Sequence, residues 1–99
     1  MFVVIFKAKA GQQDDNYVTT VAKLRDLAFS KYNCIDFVAV TENDQEIALS
    51  YWPDEASIIN WKQDAFHLVA QKQGQQKWYE QYQVEVAEIS RTYQFPAKL

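Results

Sequence analysis

Residues 34–52, CIDFVAVTENDQEIALSYW, contain two apolar runs with a polar tetrapeptide between them. The runs 34–40 and 46–52 are rich in β-branched and aromatic residues, as strands require. The intervening ENDQ carries the Asn and Asp of a hairpin turn, so the two strands are expected to pair antiparallel. Upstream, residues 14–30 repeat apolar side chains at Tyr17, Val21, Leu24 and Leu27/Ala28, the three- and four-residue steps of one helical face. Asp14 and Asp15 suit the positive end of that helix. Before it, FVVIFKAK (2–9) reads as a strand that stops ahead of Gly11. Downstream, PDEAS (53–57) is a helix start, and the helical pattern runs on toward Tyr82 with Gly74 as its natural break. YQVEVAEISRTYQF (82–95) then alternates as a long last strand.

The order is β-α-β-β-α-β, the ferredoxin-like α+β pattern, in which right-handed crossovers put both helices on one face of a four-stranded antiparallel sheet. The opposite face has its own apolar set. Phe2, Val4 and Phe6 point one way along the first strand and Val3 and Ile5 the other, while Val84 and Val86 oppose Ala87, Ile89 and Tyr93 on the last. Two helices cannot cover both faces, so a homodimer built through the helix-free sheet face is expected.

With 99 residues, about half of them apolar and 15% aromatic, the chain forms one domain, 1–99, with a modest core. A single cysteine, Cys34, excludes an internal disulfide, and one His with one Cys cannot make a structural zinc site. The net charge is −3 and the basic residues are scattered, which argues against a nucleic-acid partner. The run FVVIF is far shorter than a membrane span and lacks a basic leader, so a cytoplasmic protein without membrane attachment is expected. No phosphate loop or nucleophile elbow is present, and hydrolase chemistry is a poor fit.

The segment 47–95 also resembles the antibiotic biosynthesis monooxygenase family. The resemblance rests on a strand ending in Tyr51-Trp52, an acidic helix start at Asp54-Glu55, Trp61 within the helix, His67 after it, and the aromatic pair Trp78-Tyr79 before the last strand. It implies a dimeric α+β barrel and points to oxygenation of a phenolic, quinol-like or anthrone-like aromatic without a cofactor, with His67 as base. Haem-degrading enzymes and members of unassigned activity also belong to that superfamily. In the haem-degrading branch the axial histidine lies ten residues after the helix Trp; here that position is Gln71, and His67 stands six along, a departure that weakens haem ligation and leaves the haem-degrading branch as the third reading. A non-catalytic small-molecule binder using the same cavity is the alternative from another class.

Helical periodicity weighs these residues separately. From Ile58, positions Trp61, Ala65, Leu68 and Val69 share an apolar arc that Phe66 widens, whereas His67 falls about 180° away, beside Asp64 and Gln71. A continuous helix therefore makes His67 a polar-face residue. A break near Asp64 would turn it toward Trp61 and Trp52, and that broken helix is the form a catalytic His67 requires. Trp52, Trp61, Tyr51, Phe66 and Trp78 are candidate walls of a substrate pocket, with Tyr51 the next candidate base. Arg91 sets a charge among Ala87, Ile89 and Tyr93, and calls for a carboxylate, a partner subunit or an anionic ligand. Glu88 poses the mirror problem on the other face.

Overall fold

The computed structural model describes residues 1–72 and 78–96, with side chains described for 1–65 and 78–96. Its elements are β1 (Phe2–Ala10), α1 (Asp15–Lys31), β2 (Asp36–Glu42), β3 (Gln45–Trp52), α2 (Glu55–Lys72) and β4 (Tyr79–Glu88). The strands form one sheet in the order β2-β3-β1-β4, every pairing antiparallel, which is the ferredoxin-like arrangement.

Local chemistry sets the boundaries. The β2–β3 hairpin turns at Asn43, which adopts a left-handed φ of 57°, a region Asn tolerates better than most residues. Asp14 caps α1 by accepting the Tyr17 amide at 3.0 Å, and Asp54 caps α2 by accepting the Ser57 amide at 2.8 Å. Each cap satisfies an amide that the first helical turn leaves unpaired.

Register assigns the faces. Val4 lies between Ser50 and Val86, and Phe6 between Ala48 and Val84, all on the helix-covered side. The core joins Val4 and Trp52 of the sheet to Ala28, Cys34 and Ile58, with Phe2, Phe37, Tyr32 and Trp61 packed around them.

Three expectations are corrected. α2 runs unbroken from Glu55 to Lys72, so no break occurs near Asp64. Tyr79 and Tyr82 do not close a helix; they open β4, because Ala10 pairs with Tyr79 and the Gly11 amide donates to the Trp78 carbonyl at 2.8 Å. β4 ends at Glu88 rather than Phe95, since β1 begins at Phe2, the partner of Glu88, and leaves no ladder for residues 90–95. Among the described residues, no helix is long and apolar enough to cross a membrane.

Candidate functional site

Between the helices and the sheet lies a cavity of about 270 Å³. Its floor is the even-numbered face of β1, β3 and β4, including Val4, Phe6, Ala48 and Val86, joined by Phe37 and Ala39 of β2, and its roof is Val21 and Leu24 of α1 with Ile58 and Trp61 of α2. A second space of about 200 Å³ shares Phe6, Leu24, Trp61 and Tyr79 with it and reaches Ala65, Trp78 and Tyr82. Small residues on the central strands explain the opening. Ala48 and Ser50 sit where larger side chains would fill the gap between sheet and helices.

One end of the cavity is polar. Tyr17 of α1 donates its hydroxyl to Glu46 Oε1 at 2.9 Å, and the Tyr79 hydroxyl lies 3.1 Å from Tyr17 Oη and 3.4 Å from Glu46 Oε2. Both carboxylate oxygens thus face phenol groups. Phe6 meets the Tyr79 ring edge-on at 5.2 Å, and Trp78 meets Tyr17 at 5.5 Å, so the array is set in an aromatic frame. Burial, reinforced by Tyr17 and then Glu46, pushes the Tyr79 phenol far above its ordinary range. Tyr17 is also raised, first by burial and then by Glu46, although its hydrogen bond from Tyr79 opposes the shift. Both remain protonated donors at neutral pH, and Glu46 is the acceptor they serve.

The other end is marked by Arg25. Its guanidinium stacks over the Phe37 ring, 4.7 Å from the centroid, and its Nε is buried without a hydrogen-bond partner. Nearby, the Trp61 indole donates to the Leu24 carbonyl at 2.9 Å and locks α2 to α1.

The expected site residues divide. Trp61 lines both spaces, and Trp78, only 2% exposed, lines the second with its indole N–H unpaired. Trp52 is fully buried beneath Trp61, their rings 5.3 Å apart, and donates to Ser50 Oγ at 2.8 Å, so it supports the wall from the core. Tyr51 pairs with Val3 on the helix-free face, away from the cavity. Arg91 follows the end of β4 and is exposed, as are Glu88 and Tyr93. The side chains of Phe66 and His67 lie outside those described. Tyr17, Glu46, Tyr79 and Arg25 were not singled out from the sequence as site residues. Two signals were there to read: Arg25 falls on the same helical face as Tyr17 and Val21, and Glu46 shares the parity of Ala48, Ser50 and Trp52 on β3. Among the described residues, no three His, Cys, Asp or Glu side chains are grouped to hold a metal ion.

Comparison with known proteins places the fold. No family model matches the chain. It is 31% identical over 91 residues to the uncharacterized protein YqjZ of Bacillus subtilis, spanning 91% of this chain and 80% of that one. It is 29% identical over 94 residues to the jasmonate monooxygenase ABM of Pyricularia oryzae, of which the match covers 44%. Among solved structures, SnoaB, a cofactor-independent oxygenase from Streptomyces nogalater, superposes with a TM-score of 0.69 at 8% identity, over 97% of each chain. A second, an antibiotic biosynthesis monooxygenase, superposes at 0.59 and 16% identity, over 92% of this chain and all of that one. By relatedness the chain belongs with YqjZ, and by fold it is similar to the antibiotic biosynthesis monooxygenases.

Proposed function

We propose that the protein is a cofactor-independent monooxygenase that oxidises a small electron-rich aromatic, of phenol, quinol or anthrone type, inside the cavity between helices and sheet. The observation that carries this reading is an apolar chamber of about 270 Å³ with a single proton-handling array, Tyr17–Tyr79–Glu46, set in its wall. The names of the jasmonate monooxygenase and of SnoaB lend it support.

The chemistry follows from the setting. Dioxygen reacts slowly with a neutral closed-shell aromatic, and removing a phenolic or ring C–H proton gives an anion that can transfer one electron to it. The radical pair then joins in a C–O bond. Loss of water from the resulting hydroperoxide converts a ring CH₂ to C=O, so one oxygen atom stays on the product and the other leaves as water. The chain must supply a base, a dry wall, and donors for the developing oxyanion. Glu46 is the described carboxylate placed to take the proton, and once it is protonated a hydroxyl that had donated to it, Tyr17 or Tyr79, is freed to donate to the oxyanion. The unbroken α2 puts His67 on the polar side of the helical period, away from the arc of Trp61, so the histidine ranks behind Glu46 as base and would need α2 to open near Asp64.

Oxygen uptake with a panel of quinols and anthrones tests the reading. An active substrate should lose roughly a hundredfold or more in kcat with Glu46→Gln, with a smaller loss for Tyr79→Phe. Full activity in Glu46→Gln together with loss in His67→Ala would move the base to the histidine. No uptake with any of the panel would count against the enzyme and for a non-catalytic binder.

A homodimer formed through the helix-free sheet face is part of the same proposal, because Val38, Val40 and Ile47 are exposed there.

A further inference from the structure

We propose that Arg25 is the anion-recognising residue of the cavity, and that the ligand is an aromatic carboxylate held with its carboxylate at Arg25 and its ring toward Tyr17, Tyr79 and Glu46. This inference rests on the reading of the cavity as the substrate chamber.

A guanidinium is a permanent cation, so one that lines an apolar wall calls for an anion. Among the described residues no carboxylate lies within ion-pairing distance of it, and its Nε is buried with no acceptor. A buried donor without a partner is costly, and the cost falls when a ligand brings the acceptor. Stacking on Phe37 fixes the plane of the guanidinium and leaves its edge as the binding surface. That edge presents parallel N–H groups at the spacing of two carboxylate oxygens.

Glu46, the one carboxylate in the cavity wall among the described residues, is engaged by the phenols. Its two oxygens face Tyr17 and Tyr79. It is also distant: Tyr17 and Arg25 are eight residues apart on α1, roughly 12 Å at helical rise. On the sheet, Glu46 and Ser50, which pairs with Phe37, are four residues apart on β3, roughly 13 Å. Helix and sheet therefore agree that the proton-handling end and the cationic end lie on opposite sides of the chamber. Between them the wall is Val21, Leu24, Ala48 and Ile58, which suits a hydrocarbon body. Lys62 also lines the cavity and adds a second positive charge. A ligand with one anionic terminus would be oriented by this polarity; a neutral aromatic would not.

Calorimetric titration of the full chain at neutral pH with para-hydroxyphenylpropionate, and with its uncharged amide, tests the assignment. The acid should bind roughly ten- to a hundredfold more tightly than the amide, the difference made by charge-assisted hydrogen bonds. Arg25→Met, which keeps the apolar stem over Phe37, should bring the two affinities together, chiefly by weakening the acid. Arg25→Gln is a second neutral replacement of similar length and should do the same. Equal affinities in the unmodified protein, a preference that survives both substitutions, or no binding of either compound at millimolar concentration would overturn the proposal. Binding needs no turnover. A protein that prefers the acid yet consumes no oxygen would refute the monooxygenase reading alone, and an active enzyme indifferent to the carboxylate would refute only this one.

Discussion

Tyr79 shows how one residue's surroundings set its chemistry. Its ring is held edge-on by Phe6 and its hydroxyl is enclosed with Tyr17 and Glu46, so ionisation would place a phenolate beside a carboxylate in an apolar wall. Its folded-state pKa is raised, and the sign of the pH dependence follows. The stability linked to the proton is fully present below the unfolded phenol value of about 10 and is lost as pH rises above it, because the unfolded chain releases the proton first. Thermal unfolding of the native protein should therefore fall off above about pH 10 more steeply than that of Tyr79→Phe, which has no proton to lose there. Tyrosinate absorbance should show a fraction of the six tyrosines that ionises only on unfolding. Parallel stability curves for the two proteins would show that the phenol is solvated instead. Tyr17 and Tyr79 are 62 residues apart, and neither carries a local signal of the other. Nothing short of the folded topology brings them together, which is why sequence reading took Tyr17 only as a core position and reached first for the lone histidine.

At the scale of elements, what was legible in the sequence was whatever local rules determine. The hairpin at Asn43, the acidic starts of both helices, and the alternation of β1 and β3 all express residue-level preferences, and these elements lie where those preferences put them. The ends of β4 were misread for a different reason. Alternation continues to Phe95, yet a strand lasts only as long as its neighbour, and β1 begins opposite Glu88. Likewise Tyr79 joins the sheet because Ala10 is there to pair with it. The start of α2 offers a test of the local kind. The Asp54 carboxylate accepts the Ser57 amide, and that bond lowers its pKa. A lowered folded-state value means that the stabilisation is present above the unfolded value of about 4 and disappears as pH falls through the folded one. The melting temperature of Asp54→Ala should lie below that of the native protein at pH 6, with the gap closing below about pH 4. A gap that does not depend on pH would assign the effect to packing or helix propensity instead.

The whole molecule poses the question of its second sheet face. The helices bury Val4, Ala48 and Trp52 and leave the β4 side of that face open, at Val84 and Val86; on the opposite face Val38, Val40 and Ile47 are 47%, 61% and 37% exposed. Val40 and Ile47 are direct cross-strand partners, so their side chains form one contiguous apolar surface beside the half-buried Leu49 and Ile5. Farther along the same face the character changes to charge, with Lys7 3.8 Å from Glu85 and Lys9 3.0 Å from Glu80. An apolar area bounded by solvated ion pairs has the layout of an interface core with a polar rim, and leaving it in water would forgo the burial that stabilises small sheets. The proposed dimer predicts that light scattering at micromolar concentration gives twice the 11.6 kDa chain mass. Ile47→Glu sets a charge within this apolar surface and should yield a monomer whose near-ultraviolet circular dichroism still reports the Trp52–Trp61 packing, because neither ring lies on that face. A native protein that scatters as a monomer would sink the dimer. An Ile47→Glu protein that remains dimeric would move the interface elsewhere, with the exposed Tyr93 and Phe95 beyond β4 the next surface to test.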